Sequence, residues 1–257
     1  MGRGNIVVFD SGLGGISVLR ELKKLMPQEH FRYFGDSALA PYGTRPTEQV
    51  RRLTLERIRQ LSDADTKAVV IACNTATSAA IEELRRTYPK RIIIGIEPAL
   101  KLAAERFPGG RILVMATNVT LREEKFARLM QRFSDTHEIG KVPCPGLVEL
   151  IEQGCLRGPQ ILGLLHGYLD PWLDRRVDAV VLGCTHYPFA REAIRQVVGP
   201  EVCILDGGEG TARETRRRLL EAGLLAQTGT GSVELQNSLD SSQMLERARW
   251  LLDLKEI

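Results

Sequence analysis

Two stretches of this chain, AVVIACNT at residues 68–75 and AVVLGCTH at residues 179–186, share one pattern. In each, an apolar run typical of a buried parallel strand leads into a cysteine, Cys73 or Cys184, and then into small and hydroxyl-bearing residues. A helix-like segment follows both cysteines. The pattern therefore predicts two copies of one strand–thiol–helix unit. Two thiols presented in this way suggest acid and base groups on opposite sides of one substrate, the arrangement that inverts a carbon centre.

Short apolar runs alternate with helical segments along the rest of the chain. The strand candidates are residues 5–9, 31–35, 68–73, 92–96, 111–116, 179–183 and 202–205. The helix candidates are residues 15–26, 46–61, 76–87, 97–106, 120–133, 146–153, 158–175, 188–198 and 209–222. Because parallel strands need helical crossovers, this alternation predicts an α/β fold of mainly parallel sheets flanked by helices.

A long, weak repeat divides the chain. The interval from the strand that ends at Asp10 to Cys73 is nearly as long as the interval from Thr117 to Cys184. We therefore expect two similar, pseudo-two-fold related α/β lobes with the active site at their interface. The first lobe would hold residues 1–96 plus 207–257, and the second residues 97–206. The tail, with a weak strand near 232–236 and a helix at 240–252, should pack on the first lobe.

Composition excludes several classes of protein. The 257 residues are 43% hydrophobic, and 35 basic against 32 acidic side chains leave a net charge of only +3, which favours neither a nucleic-acid nor a membrane partner. No apolar stretch is long enough to span a bilayer. The strand at residues 5–9 comes so early that we expect no signal peptide. An odd number of cysteines, five, then indicates reduced thiols in the cytoplasm.

The stretch DSGLGG at residues 10–15 links the first strand to a helix. A dinucleotide site is one interpretation, with Asp36 as the acid that binds ribose. It is weakened because Ser17 replaces the third glycine and because Asp10 would place negative charge where a pyrophosphate should lie. The favoured interpretation is a turn whose backbone N–H groups meet a small ligand, such as a carboxylate.

The residues around the two cysteines could carry chemistry. Asn74 and Thr75 cap the helix after Cys73 and could also hold a ligand carboxylate or ammonium group. A helix N-terminus lowers the pKa of a thiol and so favours the thiolate. His186, two residues after Cys184, could relay protons. A metal site is the competing idea, but no Cys-x-x-Cys or His-x-x-x-His spacing accompanies it, and we expect no metal.

A third loop, residues 35–43, carries fewer signals. Pro41 and Gly43 fix a turn, and Ser37 and Tyr42 offer hydroxyl groups. Taken alone, it is an ordinary loop.

Together, four motifs resemble glutamate racemases, which belong to the cofactor-independent aspartate/glutamate racemase family. They are DSGLGG at 10–15, PYG at 41–43, CNT at 73–75 and GCTHYP at 183–188, and they span nearly the whole chain in order. The resemblance implies an isomerase that interconverts L- and D-glutamate by two-cysteine, two-base proton transfer, without a cofactor, and supplies D-glutamate for peptidoglycan. Glutamate would be its partner, and a homodimer is left open.

The same resemblance implies the site residues. Cys73 and Cys184 would be the catalytic thiols, assisted by Asp10 and His186 respectively. Glu152 would be a further acidic helper, preferred over Glu149 one helical turn earlier. The implied substrate contacts are Asp10, Ser11, Pro41, Tyr42, Gly43, Asn74, Thr75, Thr117, Thr185 and His186.

Two alternatives stay open. A related cofactor-independent racemase or isomerase, acting on aspartate, hydantoin or maleate, would share the two-cysteine layout. A thiol-based regulatory protein would retain the cysteines without turnover. The intact PYG and CTHYP motifs favour glutamate as the substrate.

Overall fold

The computed structural model describes residues 4–96, 99–122 and 124–255. They fall into two compact units, one bounded by Met1–Glu97 and Gly208–Leu254 and the other by Pro98–Gly207 and Lys255–Ile257. Each unit is built on its own parallel sheet.

The elements follow one another in strand–helix alternation. The strands are β1 (Asn5–Asp10), β2 (His30–Gly35), β3 (Thr66–Ile71), β4 (Ile92–Gly95), β5 (Arg111–Ala116), β6 (Glu138–Pro143), β7 (Ala179–Leu182), β8 (Cys203–Asp206) and β9 (Ser232–Asn237). The helices are α1 (Ile16–Leu25), α2 (Thr47–Leu61), α3 (Asn74–Thr87), α4 (Ala99–Arg106), α5 (Asn118–Arg122), α6 (Glu124–Ser134), α7 (Leu147–Glu152), α8 (Pro159–Leu169), α9 (Arg191–Val198), α10 (Gly208–Glu221) and α11 (Ser242–Asp253). Short 3-10 helices cover Ser37–Leu39, Tyr42–Thr44, Asp170–Trp172 and Tyr187–Ala190.

The first unit has a five-stranded sheet in the order β4-β3-β1-β2-β9, in which every described pairing is parallel. Every residue of β3 is buried, as expected for a strand covered by helices on both faces. On one side, apolar residues of α2 and α3 pack against β1 and β3 in a single core cluster. The tail adds β9 beside β2, and α11 packs on α1.

The second unit has a four-stranded sheet in the order β6-β5-β7-β8, again with parallel pairs. Its core joins β5 and β7 to apolar residues of α4 and α6. In both units the strand that precedes the thiol, β3 or β7, is an inner strand paired on both sides, so the cysteine after it lies at the carboxyl edge of the sheet. That edge is where α/β proteins bind ligands.

The predicted α/β class with parallel sheets in two lobes is confirmed. The sequence pattern missed β6, because this edge strand is partly exposed and includes Gly140, Lys141 and Pro143 rather than an apolar run. The helix expected at 158–175 ends at Leu169, before Pro171. The helix expected at 188–198 is a 3-10 turn followed by α9.

Two further predicted helices include residues that lie outside the described part of the chain. Residues 97 and 98 of the helix expected at 97–106 lie outside the described residues, and α4 begins at Ala99. The segment expected as one helix at 120–133 is described as α5 and α6, with residue 123 between them outside the description. No helix in the described part of the chain is both long enough and apolar enough to cross a membrane.

Candidate active site

The first thiol lies where β3 gives way to α3. Cys73 is the N-cap residue of α3, and its Sγ accepts a hydrogen bond from the backbone N–H of Ala76 at 3.4 Å. The thiol also donates to Ser11 Oγ at 3.4 Å. Only 5% of Cys73 is exposed. Because the positive end of the α3 dipole lies at this sulfur, the position suits a thiolate.

Asp10 ends β1, the strand next to β3, so its side chain emerges at the same sheet edge as Cys73. It is completely buried, and its Oδ1 accepts the backbone N–H of Gly12 at 2.9 Å. The glycine turn therefore folds back onto the carboxylate. Ser11, between Asp10 and Gly12, supplies the hydroxyl that meets the thiol.

The first turn of α3 presents two polar side chains beside Cys73. Thr75 is buried, with 3% of its surface exposed. The Nδ2 of Asn74 is also buried, and among the described residues it has no hydrogen-bond partner. A buried amide N–H group without a hydrogen-bond partner is costly. The Nδ2 of Asn74 is therefore suited to donate to an acceptor atom of a ligand at the N-terminus of α3.

The loop of residues 36–45 is held by a buried network. The hydroxyl of Tyr42 donates to Asp36 Oδ2 at 2.8 Å, and Arg57 Nε donates to the same oxygen at 3.1 Å. Burial and the adjacent Asp36 carboxylate raise the pKa of Tyr42 far above its ordinary value. The Tyr42 hydroxyl thus donates its proton within the protein, and its oxygen can only accept a hydrogen bond from a ligand. Pro41 is exposed, and Gly43 is half-buried in the 3-10 turn with Tyr42.

The second thiol follows β7. Cys184 is 8% exposed, and its Sγ lies 3.8 Å from His186 Nδ1. Gly183 ties this turn to β5 through a 2.7 Å hydrogen bond from its N–H to the carbonyl of Met115. A Cβ at Gly183 would come within 2.9 Å of both that carbonyl oxygen and Ala116 Cβ, so the close approach requires glycine here.

His186 links the second thiol to a carboxylate. Its Nε2 lies 2.9 Å from Glu152 Oε1 at the end of α7, while Glu149, one turn earlier, is exposed. Burial acts to lower the pKa of His186, but hydrogen bonds to Cys184 and Glu152 outweigh it and raise that pKa well above the ordinary value. Cys184, His186 and Glu152 thus form a chain in which each group orients the next.

Thr185 and Thr117 lie in the same unit as Cys184. Thr185 is buried, with 4% exposed. Thr117 follows β5, and its Oγ1 accepts the backbone N–H of Thr120 at 3.3 Å and lies 3.0 Å from Thr120 Oγ1. It therefore begins α5 as a capping hydroxyl. Because β5 and β7 are neighbours, both threonines emerge at one sheet edge.

A family model described as Asp/Glu/Hydantoin racemase matches residues 14–215. The chain belongs to the Asp/Glu/Hydantoin racemase family. The resemblance noted from the motifs is confirmed, and the protein is an isomerase of the racemase type. Among curated relatives, the glutamate racemase of Clostridium perfringens is 46% identical over 248 residues, which cover 96% of this chain and 95% of the relative.

Two solved structures are similar to this racemase over nearly all of their length. Glutamate racemase isoform RacE1 of Bacillus anthracis has a TM-score of 0.88 and 29% identity, covering 98% of this chain and 95% of that one. Glutamate racemase of Francisella tularensis in complex with D-glutamate has a TM-score of 0.87 and 25% identity, covering 100% and 96%.

Sequence reasoning did not identify two residues that hydrogen-bond to the predicted site residues Thr117 and Tyr42. Thr120 pairs with Thr117, and its only signal is the Thr-x-x-Thr spacing at the start of a helix. Asp36 was considered only as an acid for ribose, whereas it binds Tyr42 and Arg57. Among the residues the structure describes, no group of three or more His, Cys, Asp or Glu side chains is placed to hold a metal ion.

Proposed function

We propose that this racemase interconverts L- and D-glutamate, with Cys73 and Cys184 as the two acid–base groups. One observation carries the proposal. Each thiol follows a central, buried parallel strand and has its own polar partners: Asp10 and Ser11 near Cys73, and His186 with Glu152 near Cys184. The glutamate substrate is supported by the 46% identity to a glutamate racemase over 96% of the chain.

The proposed chemistry moves one proton on each face of the α-carbon. Starting from D-glutamate, the Cys73 thiolate takes the α-hydrogen as a proton, and the electron pair stays on the α-carbon. The Cys184 thiol then gives its proton to the opposite face, which yields L-glutamate. Cys73 is now a thiol and Cys184 a thiolate, the state required for the reverse reaction. Proton transfer by a positioned group contributes roughly 10²–10⁴-fold to the rate.

The neighbours of the thiols would supply the rest of the acceleration. The N-terminus of α3 and the unpartnered Nδ2 of Asn74 would bind the α-carboxylate, whose negative charge increases as the carbanion forms. The protonated His186 ring, oriented by Glu152, would place its positive charge beside the Cys184 thiolate. We propose the remaining substrate contacts at Asp10, Ser11, Pro41, Tyr42, Gly43, Thr75, Thr117 and Thr185.

The cellular role follows from the proposed product. D-glutamate made by this enzyme would enter peptidoglycan. We propose that the protein acts in the cytoplasm, because the proposed reaction needs two reduced thiols. A homodimer stays a prediction, which light scattering coupled to size-exclusion chromatography checks.

A circular-dichroism assay tests the proposal. After exhaustive dialysis against a chelator, and without pyridoxal phosphate, the protein should convert either glutamate enantiomer to the racemate. Parallel reactions with aspartate, hydantoins and maleate should be much slower. Turnover of one of these in place of glutamate would overturn the substrate assignment. Loss of activity on chelation, restored by a metal, would overturn cofactor independence.

A further inference from the structure

Tyr33 lies in the middle of β2 and has no role in the chemistry above. It is among the largest fully buried side chains, with 1% exposed. Its hydroxyl donates a 2.7 Å hydrogen bond to the carbonyl oxygen of Gly12, in the turn between β1 and α1. A buried tyrosine hydroxyl usually finds a hydrogen-bond partner, and the partner of Tyr33 lies in the turn that directly follows Asp10 and Ser11.

A second residue of β2, Gly35, leaves room for the same carbonyl group of Gly12. Gly35 is two positions after Tyr33, and alternate residues of a strand lie on one face. A Cβ at Gly35 would come within 2.3 Å of the Gly12 oxygen, a distance that no side chain tolerates. Strand β2 therefore provides both a hydroxyl donor and an empty space for the Gly12 carbonyl, which together fix the position of Gly12.

The position of Gly12 affects the groups around Cys73. Its N–H donates to Asp10 Oδ1 at 2.9 Å and so orients that carboxylate. The preceding residue, Ser11, accepts the hydrogen bond from the Cys73 thiol at 3.4 Å. A shift of Gly12 would change both contacts at once, whereas Cys184, His186 and Glu152 belong to the other unit and would be unaffected.

We propose that Tyr33 is a positioning residue for the Cys73 half of the reaction, acting through Gly12 on Asp10 and Ser11. The inference rests on the proposed two-base function. A purely structural role would differ in its consequence. The Tyr33 hydroxyl would then only satisfy a buried carbonyl group, and loss of the hydroxyl would affect both half-reactions equally.

The test is the Tyr33→Phe substitution, which keeps the ring and removes only the donor. Misplacement of catalytic groups by about 1 Å can cost on the order of 10²-fold in rate, so we expect kcat to fall roughly 5- to 50-fold. The slower step should be proton removal by Cys73. The primary isotope effect with D-glutamate deuterated at the α-carbon should therefore rise, and the effect with deuterated L-glutamate should fall.

Tyr88→Phe is the matched control. Tyr88 packs against the core of the same unit and is distant in sequence from the glycine turn. The Tyr88→Phe substitution should leave kcat and both isotope effects at wild-type values. Each isotope effect is a ratio of rates on the same folded fraction, so partial unfolding of Tyr33→Phe would lower kcat without changing either.

The positioning role of Tyr33 would be overturned if both isotope effects stayed at wild-type values. It would also be overturned if both changed in the same direction. Failure of the wild-type protein to racemise glutamate would overturn the proposed substrate instead. In that case the same pair of isotope effects, measured with the amino acid that is turned over, still decides the role of Tyr33.

Discussion

At the scale of single residues, a substitution at Asn74 should affect substrate binding without lowering the stability of the protein. Its Nδ2 is buried without a partner among the described residues, so Asn74→Ala removes a group that the ligand-free protein does not use. With substrate present, the same change removes a donor worth about 1–3 kcal/mol. We expect kcat/KM for glutamate to fall about 5- to 150-fold while the free energy of unfolding stays equal or rises.

Steady-state kinetics and urea denaturation of Asn74→Ala measure the two quantities. Wild-type kcat/KM in the variant would contradict the assignment of Asn74 to the substrate. A large loss of stability would show instead that Nδ2 has a structural partner.

The His186–Glu152 pair gives a pH-dependent prediction at the same scale. Because the pKa of His186 is raised in the folded protein, its charged form stabilises the fold fully below the unfolded pKa of about 6.5. That contribution is lost as the pH rises through the folded pKa. Glu152→Gln removes the charged partner and should lower the free energy of unfolding by about 1–2 kcal/mol near pH 6, and by less at higher pH.

Glu149→Gln is the control, because Glu149 is exposed on the same helix one turn earlier. It should leave the pH dependence of unfolding at its wild-type form. A Glu152→Gln deficit that is constant from pH 6 to pH 10 would show that His186 does not titrate against Glu152.

Local motifs in the sequence indicated the candidate residues and only some of the contacts that they make. The two cysteines, Asp10 and His186 stand out because strand, turn and helix signals surround them. The Tyr33–Gly12 and Tyr42–Asp36–Arg57 contacts could not be predicted, because they depend on the register in which separate segments pack. Periodicity specifies the face of a strand and not which carbonyl lies opposite it.

At the scale of elements, the close approach of β7 to β5 positions the second thiol. Gly183→Ala would place a methyl group 2.9 Å from the Met115 carbonyl oxygen and from Ala116 Cβ. The turn must then move, and Cys184 moves with it. Overpacking of this kind costs about 1–3 kcal/mol, so we expect a lower free energy of unfolding together with a loss of racemase activity.

Gly163→Ala is the matched control for that change. Gly163 lies within α8 with nothing within 4 Å of an added Cβ. Alanine there should stabilise the protein by about 0.5–1 kcal/mol and leave activity unchanged. Thermal unfolding and the racemase assay compare the two variants. If Gly183→Ala matches Gly163→Ala in both measurements, the turn after β7 tolerates a side chain.

The elements themselves were largely predictable where burial is complete. Strand β7 and the stretch of β3 from Ala68 to Ile71 consist of apolar residues, as expected for strands that are buried on both faces of a sheet. The edge strand β6 was missed because partial exposure allows polar residues, Gly140 and Pro143. Likewise, β9 alternates polar and apolar residues, and the sequence showed it only weakly.

At the scale of the whole molecule, the two units share one local arrangement around their cysteines. Each unit has a parallel sheet, and in each a cysteine lies two residues beyond the end of an inner strand. The polar partners differ: a carboxylate and a serine accompany Cys73, and a histidine–glutamate pair accompanies Cys184. The two proton transfers of the proposed reaction would thus use thiols with chemically different partners. An experiment can therefore distinguish one transfer from the other.

Hydrogen exchange in heavy water by the two single-cysteine variants tests the two-base account most directly. Neither Cys184→Ala nor Cys73→Ala should racemise glutamate, because each lacks the acid–base group for one face. The remaining thiol should still exchange the α-hydrogen of one enantiomer with deuterium, without inversion. Cys184→Ala should label D-glutamate in preference to L-glutamate, and Cys73→Ala the reverse. Racemisation at a near wild-type rate by either variant, or equal labelling of both enantiomers, would contradict the account.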